Sequence, residues 1–419
     1  MKRKTLLKAT VHMHLQKLLS CAKIGTSIVT AALVLQACDA LLTEPPPHGE
    51  SFEDAFFGLS KAEQAAFARG DEAFGHAFSV KEGLGPIFNQ PACESCHARD
   101  GKANPRANLI RFGKTTAGVT DLMLAFGGPQ LQDHSIPGVS PEALPSDANA
   151  VSRRSGPVVF GIGLIEAIPD SVILANVDPN DLNADGISGK PNLVQAPGYI
   201  SAVGSPPFVG RFGRKAGVAF LLQQVVTAYQ QDIGITTEYL PVEAGHPQAG
   251  AGTRDDAADP EIPASVVDDV VSYLRMLSPP NRGAITAEVQ LGEQQFTQIG
   301  CGSCHVPKMT TGLSPIKPLN RVDAYLYSDL LLHDMGPELA DNFYEAAATG
   351  TEWRTTPLWG LRLVGEFTGG TPFYLHDGRT SSLTEVIQLH AGEAAQVRTR
   401  FFQLTESQRN ALIKFLESL

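Results

Sequence analysis

Cys93-Glu94-Ser95-Cys96-His97 and Cys301-Gly302-Ser303-Cys304-His305 are two copies of one pentapeptide, Cys-x-x-Cys-His, and their reading decides the fold. Two thiols three apart can each form a thioether to one vinyl group of a haem, and the adjacent imidazole then reaches the iron as proximal ligand. A lone Cys-x-x-Cys is equally a zinc half-site or a redox dithiol. Here both copies end in His, and neither has a second Cys-x-x-Cys or a His-x-x-x-His beside it. The expected cofactors are therefore two covalent haem c groups, held by Cys93, Cys96, His97, Cys301, Cys304 and His305.

The other two cysteines, Cys21 and Cys38, fall in a stretch with the character of an export signal. Lys17 and Lys23 precede an apolar run at 24–37 that ends Leu35-Gln36-Ala37-Cys38. That ending resembles a bacterial lipobox. Residues 1–37 are expected to be a lipoprotein signal peptide, with Cys38 acylated and the chain held to a membrane in the periplasm or cell envelope. Met13 onward is already a complete signal, and the four haem-motif cysteines are then the only ones left in the mature chain. The alternative is an ordinary signal peptide or a membrane anchor, for which the run is short against a span of roughly 20 residues. Residues 1–37 hold six of the 33 basic residues and none of the 44 acidic ones, so the remainder stands at −17. Such a charge disfavours nucleic acid as a partner. It suits either a basic electron donor or simple solubility.

Each pentapeptide follows a helical segment with the pattern Gly-x-x-x-Phe: Gly70 and Phe74 before Cys93, Gly292 and Phe296 before Cys301. A Gly where two helices cross, with an aromatic ring one turn later, suits the first helix of a cytochrome c domain. Two closing helices are visible as apolar residues at helical spacing: Val267, Val270, Val271, Leu274 and Leu277, then Leu412, Phe415, Leu416 and Leu419. The second follows Thr405-x-x-Gln408, a capping-box pattern. The fold class expected is mainly α, with two cytochrome c-like haem domains and long loops. The domains span 50–280 and 284–419 and join at Pro279-Pro280-Asn281-Arg282-Gly283. The first carries a large insertion at about 105–255. Within it, Asp181, Asn183 and Asp185 alternate and Gly186 follows, the first half of a calcium loop; position twelve is Asn192 in place of Glu. Calcium binding there competes with a plain Asx-rich turn.

Across most of the mature chain these stretches resemble the bacterial di-haem oxidoreductases of the peroxidase or thiol-oxidoreductase-like type, relatives of the di-haem cytochrome c peroxidases. The resemblance also covers Arg154-Ser155-Gly156-Pro157, Gly163-Leu164-Ile165-Glu166-Ala167-Ile168-Pro169, Gly210-Arg211-Phe212-Gly213-Arg214-Lys215-Ala216, His333-Asp334-Met335-Gly336, Trp353-Arg354-Thr355-Thr356-Pro357-Leu358-Trp359-Gly360 and Tyr374-Leu375-His376-Asp377-Gly378-Arg379. In those peroxidases the sixth ligand of the C-terminal haem lies fourteen residues after the His of a His-Asp-Gly motif. Counting from His376 reaches His390, which implies bis-His ligation and a lower potential than His/Met would give. Met335 and His333 compete for that role. The resemblance also implies an acid-base pair of Gln and a carboxylate for peroxide chemistry. Gln224 and Asp232 stand there, with Glu166 as a second carboxylate.

No distal ligand stands out for the N-terminal haem, since His76 and His134 sit in no family-like motif. The Trp that the peroxidases place between their haems is absent, with Phe212 or Arg214 near its position. Trp353 and Trp359 read either as haem packing or as an electron conduit. The function these features imply is a di-haem c-type oxidoreductase in which the C-terminal haem takes electrons from a donor protein. It relays them to the N-terminal haem, where a small oxidant such as hydrogen peroxide is reduced. The alternative is a non-enzymatic electron-transfer cytochrome with two six-coordinate haems. A dithiol mechanism is disfavoured because no free cysteine would remain.

Overall fold

Ser60 opens the first long helix with a capping box: its Oγ accepts from the amide of Glu63, whose carboxylate accepts from the amide of Ser60 at 2.6 Å. In the computed structural model, residues 47–101, 105–201, 206–250 and 253–419 are described. The expected signal peptide at 1–37 and Cys38 lie outside them. The helices that matter here are α1 (Lys61–Gly75), α2 (Ile162–Ala167), α3 (Leu221–Ala228), α4 (Ala264–Met276), α5 (Ala287–Ile299), α6 (Leu383–Gln388), α7 (Ala395–Gln403) and α8 (Glu406–Leu416). The architecture is mostly helical with small sheets. Among the described residues no helix is long and apolar enough to cross a membrane.

The helices pack in two pairs, α1 on α4 and α5 on α8, and a glycine makes each crossing possible. A Cβ on Gly70 would stand 2.1 Å from the Asp269 carbonyl oxygen and 2.5 Å from Tyr273 Cβ. One on Gly292 would stand 2.0 Å from the Ala411 carbonyl oxygen and 2.7 Å from Phe415 Cβ. Both crossings are backbone on backbone, as the Gly-x-x-x-Phe pattern suggested. Phe74 then packs on Tyr273, and Phe296 on Phe415, with ring centroids 5.5 and 5.1 Å apart. The second pair starts from Thr286, which caps α5, and from Thr405, whose capping box with Gln408 opens α8.

Two apolar cores follow from this pairing. The larger gathers α1 to α4 and is completed by Met309, Leu319, Leu326, Leu331 and Trp359 from the second half of the chain. The smaller lies around α5, α7 and α8. From His48 to Leu419 the chain is one compact unit. The insertion at about 105–255 carries a small antiparallel sheet: β1 (Leu109–Thr116) pairs with β2 (Val119–Asp121), β3 (Gln130–Leu131) and β4 (Ala150–Arg154). Phe112, Met123 and Leu131 form its own core. Farther on, β5 (Leu332–Asp334) pairs with β6 (Glu352–Arg354), with His333 opposite Trp353.

Candidate active site

Both pentapeptides open into one cavity of about 510 Å³, whose wall includes Cys93, Cys96, His97, Cys301, Cys304 and His305. Cys93–Cys96 forms a single helical turn, and the second motif follows directly on Gly300, where φ is +99° and the chain leaves α5. All four thiols are free of disulfides. Burial, with Asp232 adding to it, pushes the Cys93 thiol up to about 12, and burial does the same to Cys301. Among the described residues the two cysteines and the His of neither motif come together as one ligand cluster; Cys304 instead stands with Asp329 and His333, ligand atoms within 4.8 Å of one another.

Around the first motif, the decisive element is α3 and the π-helical turn that extends it, Tyr229–Ile233. Gly234 ends the turn at φ +76°, where a Cβ would meet the carbonyl oxygens of Ile87 and Gly85 at 2.6 and 2.8 Å. The Asp232 carbonyl accepts from the amides of Asn89 and Gln90 at 2.8 and 3.0 Å, which ties this turn to the chain leading into Cys93. The Asp232 carboxylate lines the cavity and accepts from Gln130 Nε2 at 2.6 Å. Burial raises its pKa to about 6, against the pull of Gln130 and Arg111. Gln130 also donates to Asn89 Oδ1 at 3.0 Å, and Asn89 donates to the Leu131 carbonyl at 2.8 Å. Gln224 lines the same cavity. Glu166 does not share this setting. Its carboxylate accepts from the amide of Leu221 at 3.1 Å, at the start of α3, and pairs with Arg275 at 2.5 Å. His76 and His134 pair with Glu82 and Asp133 and line no part of the cavity.

Around the second motif, His305 Nδ1 donates to the Tyr327 carbonyl at 2.9 Å, and burial lowers its pKa to about 4. His390 follows α6, and its Nδ1 donates to the Val386 carbonyl at 2.7 Å, one helical turn back. That bond fixes the tautomer and leaves Nε2 as the atom with a lone pair. His390 is buried, lines the cavity and lies close enough to His305 to disfavour a charge there. His333 is differently placed: Nδ1 contacts Glu393 and Nε2 contacts Asp329, both at 2.8 Å. Burial opposes its charge, yet Asp329, Cys304 and Glu393 together push it up to about 12. With both nitrogens engaged, His333 is an imidazolium in an ion-pair network and has no lone pair for iron. Met335 lines the cavity. His376 stacks on Trp353 at 3.8 Å with 9° between the ring planes, and burial with the surrounding Arg379, Arg214, Arg154 and Lys215 lowers its pKa to about 2.

The cavity is also strongly cationic. Arg111, Arg154, Arg214 and Arg354 line it. Burial lowers Arg214 to about 9 and Arg354 to about 10, and among the described residues neither has a carboxylate within ion-pair distance. Arg111 Nε and Arg154 Nη2 are buried without a hydrogen-bond partner. Arg154 also pairs with Glu345 at 2.7 Å and has Asp341 at 3.7 Å, so Arg214 and Arg354 are the guanidinium groups that face the cavity with neither a carboxylate of their own nor a share in that network.

A family model described as "Di-haem oxidoreductase, putative peroxidase" matches residues 136–419. The chain belongs to this family. No curated protein matches the sequence. Among solved structures, the hydrazine synthase of Kuenenia stuttgartiensis is 13% identical and covers 90% of this chain and 95% of its own, with a TM-score of 0.39. A MauG-like protein associated with microbial copper homeostasis is also 13% identical, covering 90% of this chain and 93% of its own, with a TM-score of 0.39. The residues of this di-haem oxidoreductase fit the group its family name implies: paired free thiols, a following His and the Arg214 and Arg354 guanidinium groups, suited to propionates, share one cavity.

In the candidate calcium loop, the Asp181 carboxylate accepts from the amide of Gly186 at 3.1 Å, and Asp185 Oδ1 accepts from Ile187 at 2.9 Å. Asn183 Oδ1 accepts from Asp185 at 3.0 Å. The Asn183 and Asp185 bonds are Asx turns, and Asp181 closes the exposed loop onto Gly186. Asn192, at position twelve, is fully buried and donates to the carbonyls of Lys215 and Glu345 at 2.8 and 3.0 Å, so it is committed elsewhere. Trp359 supplies an indole to the wall shared by both motifs, together with Phe212 and Arg214. Its Nε1 is buried without a partner. Gln130 and Arg111 had no signal in the sequence, and Arg154, Arg214 and Arg354 appeared there only within separate motifs, not as one cluster.

Proposed function

We propose that this di-haem oxidoreductase is an exported peroxidase whose C-terminal site takes electrons from a donor protein and relays them to the N-terminal site, where hydrogen peroxide is reduced to two waters by two electrons and two protons. The observation that carries this reading is the single cavity that holds both pentapeptides and the Asp232 carboxyl. The haem, when attached, supplies the iron that takes up electrons and binds peroxide. The chain supplies orientation and proton transfer. As a carboxylate, Asp232 would take a proton from one peroxide oxygen and return it to the other. Gln130 holds that carboxyl in place, and Gln224 offers an amide to orient the peroxide. Arg214 and Arg354, with Arg111 beside them, would hold propionates, and His97 and His305 would ligate the irons. His390 Nε2, with His305, would hold the iron of the C-terminal site and so keep that site for electron transfer. The signal-like residues before Cys38 support export and a lipid anchor on that cysteine, in the periplasm or cell envelope.

Peroxide turnover by the holoprotein with a reduced artificial donor tests the assignment. Asp232→Asn should lower turnover by about 10²-fold or more with haem content unchanged. Glu166→Gln should retain most of it. The reverse result would move the proton-transfer role to Glu166.

A further inference from the structure

Outside the haem cavity, Glu243, Asp255 and Glu261 bring one carboxylate oxygen each to within 4.8 Å of the others. Asp259 stands beside them, because the Thr236 hydroxyl donates both to Asp259 Oδ1, at 2.9 Å, and to Glu261 Oε2. Asp255 is 4% exposed. Its Oδ1 accepts from the Ala257 amide at 2.8 Å, while its Oδ2 is buried with no hydrogen-bond partner. Glu243 Oε2 and Glu261 Oε1 are likewise buried and without a partner. A buried acceptor left unsatisfied costs about 1–3 kcal/mol, and three converging carboxylates repel one another as well. Burial, with Asp255 and Glu261 adding to it, pushes Glu243 up to about 8, and burial raises Glu261 too. Arg254 is the one nearby cation acting on Glu243, and among the described residues it forms no ion pair within 4.0 Å.

We propose that Glu243, Asp255 and Glu261, with Asp259 alongside, form a binding site for a hard divalent cation of the calcium class. The donor set is all oxygen, as such a cation requires, and oxygens no more than 4.8 Å apart can be bridged by one cation at a calcium–oxygen distance of roughly 2.4 Å. Magnesium would demand a tighter octahedron. The site is separate from the exposed Asp181–Asn183–Asp185 loop, whose carboxylates accept from their own loop amides.

The position of this site gives it a consequence. Glu261 Oε2 accepts from the Thr236 amide, and Thr236 lies just beyond the Gly234 turn that ends the Asp232 segment. On the other side, Glu261 Cγ packs where a Cβ on Gly83 would stand, 2.2 Å away. A bound cation would therefore brace the turn carrying Asp232 from its C-terminal side. This coupling rests on the peroxidase reading, whereas cation binding does not.

The test is calorimetric titration of calcium chloride into EGTA-treated holoprotein, with thermal unfolding in parallel. Wild type should bind calcium with a rise in Tm of several degrees. The Glu243→Gln, Asp255→Asn double variant should bind one equivalent fewer and lose that rise, with its Soret and far-UV spectra unchanged. Asp181→Ala with Asp185→Ala should keep both. Should the double variant fail to fold, Glu243→Gln alone serves, because Glu243 is only part-buried; a 10-fold or greater weakening is expected. Wild-type stoichiometry and Tm response in the Glu243 and Asp255 variants, or stability that follows pH but never calcium, would overturn the site. Loss of calcium binding together with unchanged peroxide turnover would overturn the coupling alone.

Discussion

At the scale of single residues, Asp232 and Glu166 show how one residue class takes two fates. Glu166 caps α3 and meets a guanidinium, so its charge is satisfied within the scaffold. Asp232 meets a neutral amide in a buried cavity, so its proton affinity rises into the working range of an acid-base group. A pKa raised to about 6 means that the basic carboxylate form is lost as pH falls through that value. The acid limb of kcat/KM for peroxide should therefore lie near pH 6. Gln130→Leu removes the donor that favours the charged form and should move the limb upward by roughly one pH unit. An unmoved limb would dissociate Gln130 from the chemistry. His390→Ala should convert the C-terminal haem from low-spin to high-spin and leave the other spectrum nearly intact; an unchanged spectrum would pass the ligand role to Met335. The two Cys-x-x-Cys-His motifs that share the cavity were legible because five adjacent residues carry the whole message. Gln130 was not, since Gln130-Leu131-Gln132 reads locally as a strand with a solvated face, and only tertiary packing turns its amide toward Asp232.

At the scale of elements, the helix pairs were legible for the opposite reason to Gln130: each is written twice. Gly-x-x-x-Phe and the apolar stripes of α4 and α8 place a glycine at each crossing and a ring beside it, and duplication made the pattern visible. The small sheet of the insertion was not read in advance. Its strands are short and join residues far apart in the chain, such as Arg111 with Gln130 and Ser152. The close contact at the crossing of α5 and α8 has a measurable consequence for stability. Gly292→Ala places a methyl group 2.0 Å from the Ala411 carbonyl, which is backbone and cannot swing aside. Urea unfolding should show a loss of about 1–3 kcal/mol. A loss under about 0.5 kcal/mol, within the range of surface substitutions, would mean that α5 and α8 are not held at contact.

At the scale of the whole molecule, the two halves of the chain share their chemistry through one cavity, and buried charge holds its wall together. Glu345 illustrates the pH consequence. Burial opposes its charge, but Arg154 at 2.7 Å, with Arg111 and Lys215, lowers its pKa to about 2. A depressed carboxylate adds stability that is present above its unfolded value, near 4.5, and is lost as pH falls toward 2. Acid unfolding should thus steepen between pH 4.5 and 2, and Glu345→Gln should flatten that limb while lowering stability at pH 7. The central claim concerns inequality between the two irons: one reachable by a small ligand beside Asp232, the other closed by His390. EPR of the fully oxidised and half-reduced holoprotein, with and without cyanide, tests it most directly. The account predicts two distinct haem signals, a low-spin bis-His species that cyanide leaves unchanged and a second species, assigned to the His97 haem, that cyanide converts. Two low-spin signals that no added ligand alters in either redox state would contradict it and leave an electron-transfer cytochrome.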